Sequence, residues 1–181
     1  MIIAQEKKQN NIVEYLLYMW QIEDLIRAYD FDLDRIERDI ISQFDVDDDT
    51  KAAMKQWYDS MITAMKNEGI EKQGHLKVLQ GVLSDLTELH GQLMKSPFHQ
   101  DYQKAYNNAL PFLAELRQKS AGTAKNDLEL ALEALYGVLL LRLQGKQISD
   151  STQQAIDRLS DFLSLLAKKY HDREREEEFL I

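Results

Sequence analysis

In the stretch "QIEDLIRAYD" (residues 21–30) a glutamate stands where a leucine would be expected. Each residue of an α-helix turns about 100°. On that wheel Ile12, Leu16, Met19, Glu23 and Ile26 share one row in the middle of an apolar arc. Val13 and Trp20 flank the row on one side, Tyr15, Ile22 and Tyr29 on the other, and Glu14 and Gln21 mark the solvent side. Glu23 therefore points inward, where a carboxyl group must be protonated, paired or wet. Two cations are available. Arg27 lies four residues on, in the favourable acid-then-base order. Arg142 is the inward charge of a second apolar row, Leu128, Ala131, Leu135, Val138 and Arg142. The pattern predicts a partly buried Glu23–Arg27 or Glu23–Arg142 pair. Such a pair either fixes helix register or, with Trp20 and Tyr15, lines a ligand pocket; both uses place the same charges.

The other constellations carry less. Among the four histidines, His75 and His90 fall on the apolar side of the fourth predicted helix, 15 residues apart. That spacing is roughly 22 Å along a helix, too far to share a metal within it. Neither Glu-x-x-His nor His-Glu-x-x-His occurs, so the di-iron and zinc-protease patterns are missing. His99 stands near a helix start beside Asp101 and Tyr102. "DFDLDR" (30–35) and "DVDDDT" (45–50) imitate the start of a calcium loop. Both lack its sixth-position glycine and its twelfth-position glutamate. They read as anionic helix starts that complement the helix dipole. Glycines stand singly, with no phosphate-binding loop. No catalytic residue, metal or cofactor is assigned.

The chain has 181 residues with no cysteine, which excludes disulfides, a thiol nucleophile and thiolate metal ligands. Its net charge of −9 repels nucleic acid and anionic lipid. The longest apolar run, "VLLLRL", is far short of a membrane span. The start, "MIIAQEKKQNN", is not a signal peptide, so a cytoplasmic location is expected.

These residues need helices to place them. Only 7 Gly and 2 Pro occur, and helical periodicity dominates throughout. Helices are predicted from about Asn10 to Tyr29, over "LDRIERDIISQF" after an Asp32 cap, and from the Asp cluster at 45–49 to Gly69. Others run from about Gly74 to Lys95, through Pro111, from Asp127 to Gln144, and from Ser151, where "STQQ" has capping-box spacing. Pro111 either bends its helix, opening a pocket, or starts a second short one. The helix over 127–144 is apolar nearly all round and should be covered nearly all round. No strand pattern competes. The breaks "SPFHQ" and "KSAGTAKND" are short. The expected fold is all-α, a single-domain up-down bundle of about six to seven helices over residues 1–181, with a short helical solenoid as the alternative. Residues 172–181 form a charged tail or an extended helix.

"EYLLYMWQIEDLIRA", within "MIIAQEKKQNNIVEYLLYMWQIEDLIRA", resembles the N-terminal signature of a bacterial domain-of-unknown-function family of all-helical proteins. The resemblance spans the chain. It implies a helical, intracellular bacterial protein and assigns no activity or site. The functional expectation is a non-enzymatic helical interaction or regulatory protein. Its partner, another protein or a second copy, would be engaged through an acidic surface and the apolar end of the tail. The alternative is a small-molecule-binding bundle using Glu23, Arg27, Arg142, Trp20 and Tyr15; an enzyme using His90 or His75 has least support.

Overall fold

The computed structural model describes residues 2–119 and 126–178. The described residues form eight α-helices and one 3₁₀ turn, with no strand among them. Contacts divide the chain into two compact units, Met1–Gln9 with Glu14–Val82, and Asn10–Val13 with Leu83–Ile181.

The first unit is built on α1 (Ile2–Asn10), α2 (Ile12–Ala28), α3 (Leu33–Asp39), a 3₁₀ turn (Ile41–Gln43) and α4 (Asp48–Asn67). Leu16, Met19 and Ile26 of α2 are buried, as are Ile36, Ile41, Tyr58 and Met65. The acidic stretches act as caps. The Asp32 side chain accepts the N–H of Arg35, and Asp47 accepts that of Thr50. The hydrogen bond from Thr50 also holds the Asp47 carboxyl below the usual carboxylate range. Asp30 and Phe31 both take positive φ where α2 ends, at 54° and 60°. This turns the chain sharply and lets their N–H groups meet Arg27 and Ile26 carbonyls.

The second unit contains most of α5 (Lys77–Lys95), with α6 (Gln100–Lys119), α7 (Asp127–Leu143) and α8 (Asp150–Glu178). The last three pack on one another. Tyr102, Leu113, Leu132, Leu159, Phe162 and Leu166 are fully buried there. Asn126 caps α7 by accepting the N–H of Glu129. Helix α6 runs unbroken through Pro111, whose ring removes one N–H and frees the Asn107 carbonyl without starting a new helix.

Several expectations are corrected. There are eight helices among the described residues, not six to seven, because α1 precedes the first predicted helix. Asn11 separates them: its side chain accepts the N–H of Val13 and so starts α2. Helix α5 begins at Lys77, not near Gly74, whose φ of +92° is incompatible with a helix. The cap of α8 is Ser149, which accepts the N–H of Thr152, not Ser151. Helix α7 is not covered all round: Leu135, Leu139, Leu140 and Leu141 are half-buried, and Leu143 is 68% exposed. Most of the predicted break over 119–127 and the last three residues of the tail lie outside the described residues, while residues 172–178 continue α8.

Candidate functional site

Helix α2 carries Tyr15, Trp20, Glu23 and Arg27, and the segment between α4 and α5 folds over them. Two glycines shape that segment, Gly69 at φ +69° and Gly74 at φ +92°. Glu23 is completely buried. Its Oε1 accepts the N–H of Leu76 at 2.9 Å, and its Oε2 lies 2.5 Å from Nδ1 of His75. The Leu76 carbonyl receives the N–H groups of Leu79 and Gln80, so Leu76 stands at the start of α5. The Glu23 carboxyl group thus supplies an acceptor where a helix N-terminus leaves donors unsatisfied.

The His75 ring stacks on Trp20 with centroids 4.5 Å apart and planes 16° from parallel. Its backbone carbonyl accepts the Gln80 amide. The side chain is 37% exposed, and among the described residues its only hydrogen-bonded ring nitrogen is Nδ1. A carboxyl group on one imidazole nitrogen fixes ring orientation and leaves the other nitrogen to meet a proton or a ligand.

Arg27 closes the cluster. Nε and Nη2 donate to the Ile70 carbonyl at 3.3 and 3.1 Å, Nη2 also to the Gly74 carbonyl, and Nη1 to Asp24 at 2.8 Å. Burial, then the charge of Glu23, raises the Tyr15 hydroxyl above its ordinary pKa of 10.0.

Glu23, Arg27, Trp20 and Tyr15 are therefore brought to one region. The predicted ion pairs are not formed. Glu23 engages His75 and Leu76 instead of Arg27, whose fork of donors is better matched to the converging carbonyls of Ile70 and Gly74. Arg142 belongs to the other unit and donates to Gln153 at 2.8 Å. The residue that sequence reasoning misplaced is His75, assigned to a helix face. The glycine immediately before it was the signal that the helix had not yet begun.

A second polar cluster surrounds His90. Its Nδ1 lies 2.6 Å from the Tyr102 hydroxyl, and its ring meets Tyr106 and Phe162 edge-on. Tyr106 donates to Asp127 at 2.6 Å, and Arg117 binds the same carboxylate. Burial lowers the His90 pKa from 6.5, against the opposing charge of Asp127. Burial raises that of Tyr102 and pushes Tyr106 to about 12, where the Asp127 bond adds to it. Tyr102 thus keeps its proton, and its hydroxyl shares one hydrogen bond with His90 Nδ1 whose direction is set by the imidazole tautomer. At Asp127 burial pushes the carboxyl up, but the bonds from Tyr106 and Arg117 outweigh it and the net shift is down. His171 is also satisfied: the Ile12 N–H donates to its Nε2 at 3.2 Å, leaving Nδ1 to donate to Glu174. The described residues hold no group of three or more His, Asp or Glu placed to bind a metal ion. No helix among them is long and apolar enough to cross a membrane.

A family model described as Domain of unknown function (DUF4924) matches residues 1–177. No curated protein and no solved structure matches the chain.

Proposed function

We propose, for a chain that belongs to this domain-of-unknown-function family, a non-enzymatic role as a helical interaction protein that captures an amphipathic helix of a protein partner. The supporting observation is an open apolar groove of about 370 Å³ in the second unit, between α6, α7 and α8. Phe112, Leu116, Val138, Leu141, Ile156 and Leu159 form its walls. Ala134, Gly137 and Ala155 keep it open, and a Cβ added at Gly137 would meet nothing within 4 Å. Grooves of this kind take a helix by its apolar face. The net charge of −9 disfavours a second copy and favours a partner helix with basic flanks.

The test uses a Leu/Lys amphipathic helical peptide and fluorescence anisotropy. Saturable binding is expected, weakened about tenfold by Gly137→Leu, which fills the groove, since a tenfold loss corresponds to about 1.4 kcal/mol. Equal binding of a scrambled peptide of the same charge would overturn the reading. A doubled mass by native mass spectrometry would make a second copy the occupant instead.

A small-molecule site at Glu23, Arg27, Trp20 and Tyr15 is the second reading. It rests on the partly exposed His75 ring, held against Trp20 with one nitrogen bonded inward. A ligand found by thermal shift should lose its effect in His75→Phe; retained stabilisation would remove this reading.

A further inference from the structure

The first unit holds a hollow of about 370 Å³ between the start of α1, the chain after the 3₁₀ turn and the first two turns of α4. Ile3, Phe44, Val46, Ala53 and Met54 line it, and Gln5 and Thr50 supply its polar groups. Its volume falls within the roughly 300–1,000 Å³ of small-molecule sites. It lies wholly inside one unit and shares no residue with the Glu23 cluster or with the groove beside α7.

The sequence builds its walls locally. The backbone at Phe44 is extended, with φ −77° and ψ 129°, and its N–H donates to the Ile41 carbonyl. Ile41 is buried and anchors the turn, while Phe44 and Val46 after it stay at the hollow, Val46 with 39% of its surface exposed. Thr50, Ala53 and Met54 are three and four positions apart, so they share one face of α4.

The charge at the mouth is one-sided. Asp45 lies between Phe44 and Val46, and Asp49 lies one turn before Ala53. Both are exposed, and neither makes an ion pair among the described residues. The carboxylates between them serve other ends. Asp47 caps α4 and offsets the partial positive charge, about half a unit, of its N-terminus. Asp48 lines a separate hollow with Lys51 and Lys55. The cations of α1 also turn elsewhere, Lys7 to Glu14 and Lys8 over the Tyr15 ring. An apolar hollow with unneutralised carboxylates at its mouth repels a fatty acid and attracts a cation that carries an apolar tail. The net charge of −9 works against a second copy as occupant.

We propose that this hollow binds a small amphiphilic cation, an alkylammonium whose chain lies against Phe44, Val46 and Met54 and whose head group meets Asp45 and Asp49. Burial of the tail supplies most of the affinity, because the two carboxylates stand in water and are screened by salt. The carboxylates supply the selectivity, favouring a positive head group and penalising a negative one.

The experiment is calorimetric titration of the full chain with octyltrimethylammonium, octanol and octyl sulfate, each below micelle formation. One saturable site is expected, tightest for the ammonium and weakest for the sulfate. Ala53→Phe, which fills the hollow from an exposed position, should weaken ammonium binding about tenfold. Asp45→Asn combined with Asp49→Asn should lower the ammonium to the affinity of octanol, and raised salt should move it the same way. Gly137→Leu, in the other unit, should leave all three affinities unchanged. Circular dichroism verifies the fold of each variant, and the salt series on the natural chain tests the charge argument if a variant unfolds. Equal affinity for ammonium and octanol at low salt, or unchanged ammonium binding in Ala53→Phe, would overturn the proposal. So would a doubled mass by native mass spectrometry that Ala53→Phe abolishes, since a second copy would then be the occupant. Tighter binding of the Leu/Lys peptide, lost in Ala53→Phe, would overturn it in favour of a protein segment.

Discussion

Glu23 and His75, 52 positions apart, are joined by a 2.5 Å contact between a completely buried carboxyl oxygen and an imidazole nitrogen. The second oxygen holds the Leu76 N–H, so one side chain of α2 fixes both the ring and the helix start that follows it. Removing the carboxyl strands a buried N–H. Glu23→Leu should cost about 2–4 kcal/mol, within the range for breaking a buried charged hydrogen bond. Glu23→Gln keeps an acceptor for Leu76 and should cost less. Urea unfolding midpoints measure both. In the same experiment Arg142→Leu should change stability by no more than about 0.5 kcal/mol, as for an ordinary exposed position. A double-mutant cycle between Glu23 and Arg142 should give no coupling, because each has partners in its own unit. Measurable coupling would contradict that assignment.

Arg27 works by shape as much as by charge. Its guanidinium spans the carbonyls of Ile70 and Gly74 while holding Asp24. An ammonium keeps the charge and loses the planar fork. Arg27→Lys should therefore destabilise by about 1–2 kcal/mol, a loss of one or two charge-assisted bonds. Amide exchange should rise first over residues 70–76. Uniform acceleration across the first unit, with no local excess, would show that the loop is held by something else.

The His90 cluster predicts an acid-side loss of stability. In the folded chain burial lowers the His90 pKa below its ordinary 6.5. The unfolded chain then binds the proton more readily. The stabilising contribution is complete above about pH 6.5 and is lost as pH falls through that value toward the lower folded one. The groups facing the ring are the Tyr102 hydroxyl, the rings of Tyr106 and Phe162 and the charge of Asp127, which opposes the shift. Denaturant midpoints at pH 7.5 and 5.5 should differ more for the natural chain than for His90→Gln. An NMR titration of the His90 ring should locate its midpoint below 6.5. Equal pH dependence of the two proteins would refute this account.

Much of this was legible in the chain because it depends on local chemistry. The Asp32 cap and the anionic start of α4, the all-helical content and the inward direction of Glu23 follow from 3.6-residue periodicity and from which side chains can satisfy a helix start. The partner of Glu23 was not legible. Arg27 and Arg142 were chosen for their charge, whereas the site uses a histidine and a backbone N–H from a loop. Its path depends on positive φ at Gly69 and Gly74, which no periodicity encodes. The open side of α7 was missed for a related reason. A helix apolar on every face says that it needs cover, but not whether its own chain supplies it.

Gly137 separates the two reasons a glycine can sit in a helix. It lies inside α7, outside the left-handed region, and a Cβ there would meet no neighbour within 4 Å. Nothing in the packing excludes a side chain. Glycine in a helix interior is less stable than alanine by about 0.5–1 kcal/mol, mainly through the freedom it loses on folding. Gly137→Ala should therefore raise stability by about that amount, read as an increase in denaturant midpoint at constant slope. Gly81 and Gly91, also helical with open space at the Cβ position, should respond in the same direction. Only Gly137 lines the groove among these three. If the groove accepts a helix, Gly137→Leu should preserve the fold and weaken peptide binding about tenfold by filling the groove, while Gly81→Ala and Gly91→Ala leave binding unchanged. A fall in stability for Gly137→Ala would mean that α7 needs the glycine for its own conformation, which would remove the argument that its small side keeps the groove open for a partner.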